Sequence, residues 1–237
     1  MTDPGPLARR PSGWLLLRDL AVIVVVALLI STAVKTFLIR PFYIPSASMQ
    51  NTLQIDDRII VNELVPALIP ISRGDIVVFR DPAHWLGPST TASSGPRGFL
   101  AGALTAVGLG TADSSEHLIK RVIGLAGDTV TCCTSSGAVS VNGVALDEPY
   151  IVVPPGKTKA TPRTFTATVP TGSLWVMGDN RYHSADSSFH FTTGDPGSGF
   201  VPQSTVVGRA VLVSWPSANW GWLDNYPDTF RSVAPPR

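Results

Sequence analysis

The hydrophobic pattern of this chain changes period once, near residue 40. Before it, residues 20–39 (LAVIVVVALLISTAVKTFLI) are apolar on every side, broken only by Lys35 near the far end. A run of about twenty residues at roughly 1.5 Å rise covers a ~30 Å hydrocarbon core. The missing polar face argues against a helix buried on one side of a soluble domain. The pattern predicts a membrane-spanning helix over 19–40 behind a short Pro-, Gly- and Arg-bearing tail over 1–18, with Lys35 near enough to the end to snorkel outward. A second reading stays open: Ser31-Thr32-Ala33 has the small-x-small spacing of a secretory cleavage site. Arg9, Arg10 and Arg18 precede the run, while Lys35 and Arg40 close it. That weak bias favours a cytoplasmic N-terminus and an exported body.

After residue 40 the pattern becomes short Val/Ile/Thr-rich runs punctuated by turns, which predicts a mainly β, antiparallel body over 41–216. Strands are expected over 74–80, 118–125, 127–131, 139–144 and 174–177, and a last strand pair over 200–215. Asn142-Gly143 is a tight-turn signal. Residues 83–115 shift to Gly, Ser, Thr, Ala and Pro and read as a surface insertion, with a helical or membrane-touching patch over 99–109. Residues 129–172 read as a small variable β subdomain. The tail over 217–237, aromatic and then Pro-rich, is expected to fray.

Composition narrows the function. Charged residues make up 15% of the chain and the formal net charge is +1, which argues against nucleic acid as the main partner, since that would favour a clustered basic surface. The two cysteines are neighbours, Cys132-Cys133, a spacing that cannot build a four-ligand zinc site. In an exported body they either oxidise to a vicinal disulfide or stay as two thiols in a strand. No ligand cluster calls for a metal or cofactor.

The candidate chemistry begins at Pro45-Ser46-Ala47-Ser48-Met49, where two hydroxyls stand two residues apart just beyond the apolar run. A serine attacks only when a base takes its proton. His84, His117, His183 and His190 are the histidines. His84 lies in the insertion and His190 sits between Phe189 and Phe191, settings that suit loop and packing roles. His117 or His183, with Asp179 or Asp186, keeps a Ser–His–Asp arrangement open. The alternative base is Lys120. Strand alternation places Leu118, Lys120 and Val122 on one face and Ile119, Arg121 and Ile123 on the other. Apolar neighbours on its own face can bring Lys120 from about 10.4 towards 7–8 by desolvation. Arg121 points away and stays protonated.

Taken together, the segments Ile44-Pro45-Ser46-Ala47-Ser48-Met49 with Thr52-Leu53, Gly74-Asp75, Lys120-Arg121-Val122-Ile123-Gly124-Leu125-Ala126-Gly127-Asp128, and Gly178-Asp179-Asn180-Arg181 with Ser184-Ala185-Asp186-Ser187 resemble the type I signal peptidases. The closing Gly199-Phe200-Val201-Pro202 and Val207-Gly208-Arg209-Ala210 are similar to that family's end, and the single span and long insertion to its Gram-positive, actinobacterial forms. The resemblance implies a membrane-anchored antiparallel β catalytic domain with a smaller inserted domain, in the plasma membrane. It implies removal of signal peptides from secretory preproteins after Ala-x-Ala sites, with no cofactor. Ser48 would be the nucleophile, Lys120 the general base, and Ser46 an oxyanion donor beside the Ser48 N–H. Ser184 would hold the Lys120 ammonium, and Asp179 and Asp186 would brace the turn. Phe42, Ile44, Met49, Leu53, Leu118 and Ile119 would line the substrate pocket.

Three positions depart from the family pattern. Asn51 stands where proline is usual, Ala126 replaces the proline of Leu-Pro-Gly-Asp, and Ser188 stands where an arginine usually pairs with Asp186. Two other readings follow from the same residues: a Ser–Lys self-cleaving regulator, which the apolar anchor disfavours, and a catalytically impaired paralogue acting as a membrane-tethered binding protein.

Overall fold

The computed structural model describes residues 13–37, 39–82, 85–86, 117–193 and 196–235. The expected tail over 1–12, His84, the 99–109 patch and the rest of the insertion other than Trp85 and Leu86 lie outside the described residues.

Helix α1 runs Gly13–Phe37, 25 residues and about 37 Å long. Its window Trp14–Ser31 has a mean hydropathy of 2.4 and no part of it is buried against the protein. The helix starts earlier than the pattern predicts. Trp14–Leu17 extend the apolar run, and Arg18 and Asp19 neutralise each other side by side at 2.9 Å. It also ends earlier, because strand β1, Ile39–Tyr43, contains Pro41, which a helix interior rejects and an edge strand accepts.

The remaining elements are β2 Arg58–Asn62, α2 Leu64–Ala67, β3 Ile76–Arg80, β4 His117–Gly124, β5 Thr129–Cys132, β6 Val139–Val141, β7 Val144–Ala145, β8 Phe165–Thr168, β9 Ser173–Met177, α3 Ser187–Thr193, β10 Val201–Pro202, β11 Val206–Trp215, β12 Gly221–Trp222 and α4 Pro227–Phe230. Among the described residues one sheet has the order β1-β2-β11-β3-β4-β9-β10, with β12 on β11, and a second has β7-β6-β5-β8. Every pairing is antiparallel, as expected of a half-solvated sheet with short turns.

Asn142 and Gly143 both take positive φ and form a two-residue turn. The turn joins β6 to β7, since Val141 pairs with Val144. The 200–215 segment does hold two strands, but they do not pair with each other: β10 sits on β9 while β11 sits between β2 and β3. The neighbouring cysteines are joined by a disulfide.

The tail does not fray over its described length. Phe230 and Val233 enter the core cluster of the second sheet with Val130, Phe165 and Trp175. Arg73 reaches Ala234 O at 2.9 Å. At Gly74, with φ +90, a Cβ would stand 1.8 Å from Asn225 O, so only glycine lets the tail pass this close. Apolar burial by two side chains holds a segment whose composition alone reads as loop.

Candidate active site

Beyond β1 the chain makes a single 3-10 turn over Ala47–Met49 with Ser46 at its N-cap. The turn is short and faces inward: Ser48 and Met49 are buried. Leu53 follows them into the core cluster with Phe42, Ile44, Ile59, Val61 and Val78. This anchoring presents the Ser48 hydroxyl to β4. The first N–H groups of such a turn have no partner within it.

Lys120 lies in the middle of β4, paired with Val77 of β3. Its side chain is 3% exposed. Lys120 Nζ donates to Ser48 Oγ at 2.7 Å and to Ile119 O at 2.9 Å. Among the described residues no carboxylate lies within ion-pair distance of it. Burial lowers its pKa from 10.5 to about 8, opposed by the more distant charges of Asp186 and Asp179. Ser46 Oγ lies 3.4 Å from Ser48 Oγ.

The histidines do not share this site in the same way. His183 Nδ1 is 3.1 Å from Asn180 Oδ1, and the ring of His117 meets Phe42 edge-on. His190 stacks on Trp85 at 4.4 Å, a packing role as expected.

The turn after β9 is fastened directly to the serine. Asn180 N–H donates to Ser48 O at 3.1 Å, and Asn180 Nδ2 to Ala47 O at 3.2 Å. A Cβ on Gly178 would stand 2.4 Å from both Ser48 O and Ser184 Oγ. Glycine is required there for close approach, not for its dihedral freedom.

The Ser184 hydroxyl, expected beside the Lys120 ammonium, is buried against Gly178 and has no hydrogen-bond partner among the described residues. Met49 and Leu53 are fully buried in one cluster with Phe42, Ile44 and Ile119 and do not line the cleft described below.

Asp179 and Asp186 brace the turn by different means. Asp179 takes two bonds from Arg121, at 2.9 and 2.7 Å, and one from Thr52 Oγ1 at 2.5 Å. Asp186 accepts from Gly178 N–H at 3.0 Å, and from Ser188 N–H and Oγ at 3.0 and 2.6 Å. Ser188, found where the family pattern has arginine, satisfies the aspartate with its hydroxyl. Arg181 instead pairs with Glu148 at 2.5 Å. Asn51 adopts φ +90, a conformation closed to proline, and its side chain donates to Tyr150 O at 3.0 Å.

Arg121 was not recognised in the sequence as part of this frame. It is fully buried, also donates to Gly74 O and Asp224 O, and lies over the Tyr150 ring at 4.1 Å and Tyr226 at 5.3 Å. Its position next to Lys120 was the available signal. Its partners come from residues 29 to 105 positions away and leave no local trace.

Beside the pair lies an apolar cleft of about 100 Å³, lined by Phe42, Ile44, Leu118 and Ile119, also by Ile59, Val78, Leu86 and His117, and by Ser46 and Lys120. A larger cleft of about 210 Å³, bounded by Asp75, Arg209, Trp222 and Asn225, shares no residue with it and holds no nucleophile–base pair. Among the described residues no group of acidic, cysteine and histidine side chains could hold a metal ion.

Known proteins are similar to this chain over most of its length. The family described as signal peptidase, peptidase S26, matches residues 17–215. Signal peptidase I of Mycobacterium tuberculosis is 38% identical over 230 residues, covering 90% of this chain and 77% of the relative. The probable signal peptidase I of Mycobacterium leprae is 37% identical, covering 86% of this chain and 78% of the relative. The probable signal peptidase I-1 of Synechocystis is 32% identical and covers 91% of each chain. With the family match spanning most of its length and relatives this similar covered over more than three quarters of theirs, the chain belongs to the signal peptidase family, peptidase S26, a family of membrane-bound serine endopeptidases.

Proposed function

We propose that this chain removes signal peptides from exported preproteins, with Ser48 as nucleophile and Lys120 as general base. The observation that carries the assignment is the 2.7 Å contact between Lys120 Nζ and Ser48 Oγ in a buried setting. Neutral Lys120 accepts the Ser48 proton as Oγ attacks the scissile carbonyl, and returns it to the leaving amine. The Ser48 N–H and Ser46 hydroxyl receive the oxyanion, and removing one such donor typically costs on the order of 3 kcal/mol. With a pKa of about 8, about a tenth of Lys120 is already unprotonated at pH 7, near the range suited to a base.

The substrate's path follows from unpaired strand edges. Residues 117–120 of β4 pair with β3 on one side, and β9 joins β4 only from Arg121 onward. Strand β1 pairs only with β2. The cleft lies between these two edges, so an extended peptide can add as a strand there. Its side chains then alternate, and those at the first and third positions before the cut face the cleft. A volume of about 100 Å³ accommodates small side chains, which accounts for an Ala-x-Ala preference.

Helix α1 is placed in the plasma membrane as a retained anchor, with a cytoplasmic N-terminus and the β body outside. Eight residues separate Arg40 from Ser48, a reach of at most about 29 Å. The nucleophile therefore works close to the bilayer surface, where the cleavage site of a membrane-embedded signal peptide emerges. The test is incubation of the full chain, in detergent or lipid vesicles, with a preprotein bearing an Ala-x-Ala site. The expected result is one cut after that site, absent in Ser48→Ala and Lys120→Ala. Cleavage that survives Lys120→Ala but is lost in His117→Ala or His183→Ala would replace the lysine by a histidine.

A further inference from the structure

We propose that Leu86, at the root of the 83–115 insertion, selects the side chain accepted at the third residue before the cut. This rests on the reading of the cleft as the substrate site.

Leu86 is held at the cleft by its neighbours rather than by its own burial. Asp81 follows directly after β3, and its carboxylate accepts from Trp85 N–H at 2.7 Å and Leu86 N–H at 3.1 Å. Trp85 is buried. Its ring meets Phe79 edge-on, stacks on His190 and donates from Nε1 to Ser198 O at 2.9 Å. Five contacts to four residues thus fix the turn, and the next side chain, Leu86, lies against the cleft while 47% exposed. A half-exposed leucine contributes little to the core, so its position matters mainly for what enters the cleft.

The strand register shows which end of the cleft it borders. Arg80, just before Asp81, pairs with His117, whereas Lys120 pairs with Val77. Leu86 therefore belongs to the His117 end, about three residues or ~10 Å along β4 from the reacting pair. In an extended substrate the side chain that faces the cleft at the cut lies at the Lys120 end. The next on that face, two residues upstream, lies ~7 Å away towards His117 and Leu86. Leu86, with Phe42 and Ile44, closes the space available to that side chain.

The experiment uses the full chain in detergent with peptides identical except for Ala, Val or Leu at the third position before the cut, and reads the ratios of kcat/KM within each enzyme. A ratio does not depend on the folded fraction. Wild type should favour Ala and Val over Leu. Leu86→Ala should raise the Leu-to-Ala ratio about tenfold or more, and Leu86→Phe should lower the Val-to-Ala ratio by a similar factor, the scale of one or two methylenes in an apolar pocket. Ratios within twofold of wild type in both variants would overturn the assignment, as would loss of all cleavage in both, which marks a structural residue. A change in preference at the first position instead of the third would place Leu86 at the other end of the cleft and overturn it as well. Failure of the underlying reading is distinct: wild type would then cleave none of the peptides, or Ser48→Ala would cleave them equally well.

Discussion

Lys120 and Arg121 are adjacent cations on one strand, both buried, and they meet opposite environments. Arg121 is matched by a two-pronged carboxylate, two backbone carbonyls and two aromatic faces, and these hold its pKa above the ordinary value against burial. Lys120 is matched by a hydroxyl and one carbonyl, and burial lowers its pKa to about 8. A fully paired buried cation is a structural tie. An incompletely matched one reaches its neutral form cheaply, which is what the proposed base role of Lys120 requires. The strand's alternation sends one to each face, and the two faces provide different partners.

The widest separation of the two roles comes from deletion. Ser48→Ala and Lys120→Ala should each lower preprotein cleavage at least about 10³-fold with little change in the melting curve. Arg121→Met should do the reverse in kind. It leaves Asp179 buried and unpaired, a loss of about 3–5 kcal/mol in unfolding free energy, read by urea denaturation. Equal stability of Arg121→Met and wild type would remove the distinction between the two cations.

The stability of Lys120→Met sharpens the same point. The folded pKa of Lys120, about 8, lies below its ordinary 10.5, so below pH 8 the folded state carries the full penalty of a buried ammonium. Replacement by an apolar side chain should stabilise the protein by about 2–3 kcal/mol at pH 7. That advantage should fade between pH 8 and 10.5, where the unfolded lysine binds a proton that the folded one has lost. Denaturation midpoints at pH 7 and pH 10 provide the comparison.

The smallest expected effect is on pH dependence. In wild type kcat/KM should climb about tenfold per unit below pH 8 and level off above it. Asp186 is the leading charge holding the Lys120 pKa up, so Asp186→Asn should move this limb to lower pH. A limb that stays in place would mean that Asp186 acts only through its bonds to Gly178 and Ser188.

The frame shows where local reading stops. Gly178 and Asn180 stand out in the sequence as part of a polar turn, but their work is done on Ser48, more than 120 residues earlier, through one N–H bond and one close approach. Ser188 and Asn51 look like losses when compared with the family pattern. In three dimensions the first satisfies Asp186 and the second takes a φ that proline cannot. Tyr226, in the segment expected to fray, instead covers Arg121.

What the sequence by itself determined was what depends on near neighbours: an apolar helix, short antiparallel strands, a tight turn at Asn142-Gly143, and the residue types of a nucleophile and a base. The face of β4 that carries Lys120 also follows from period-2 geometry alone. Tertiary structure decided everything that depends on partners distant in the chain. It buried Met49 and Leu53 in one core cluster, tied Asn180 to Ser48, and drew the C-terminal segment into the core. It also brought Leu86 to the cleft. The physical reason is that pKa, burial and hydrogen-bond satisfaction are set by atoms within a few ångströms, and in a sheet of this strand order those atoms come from all parts of the chain.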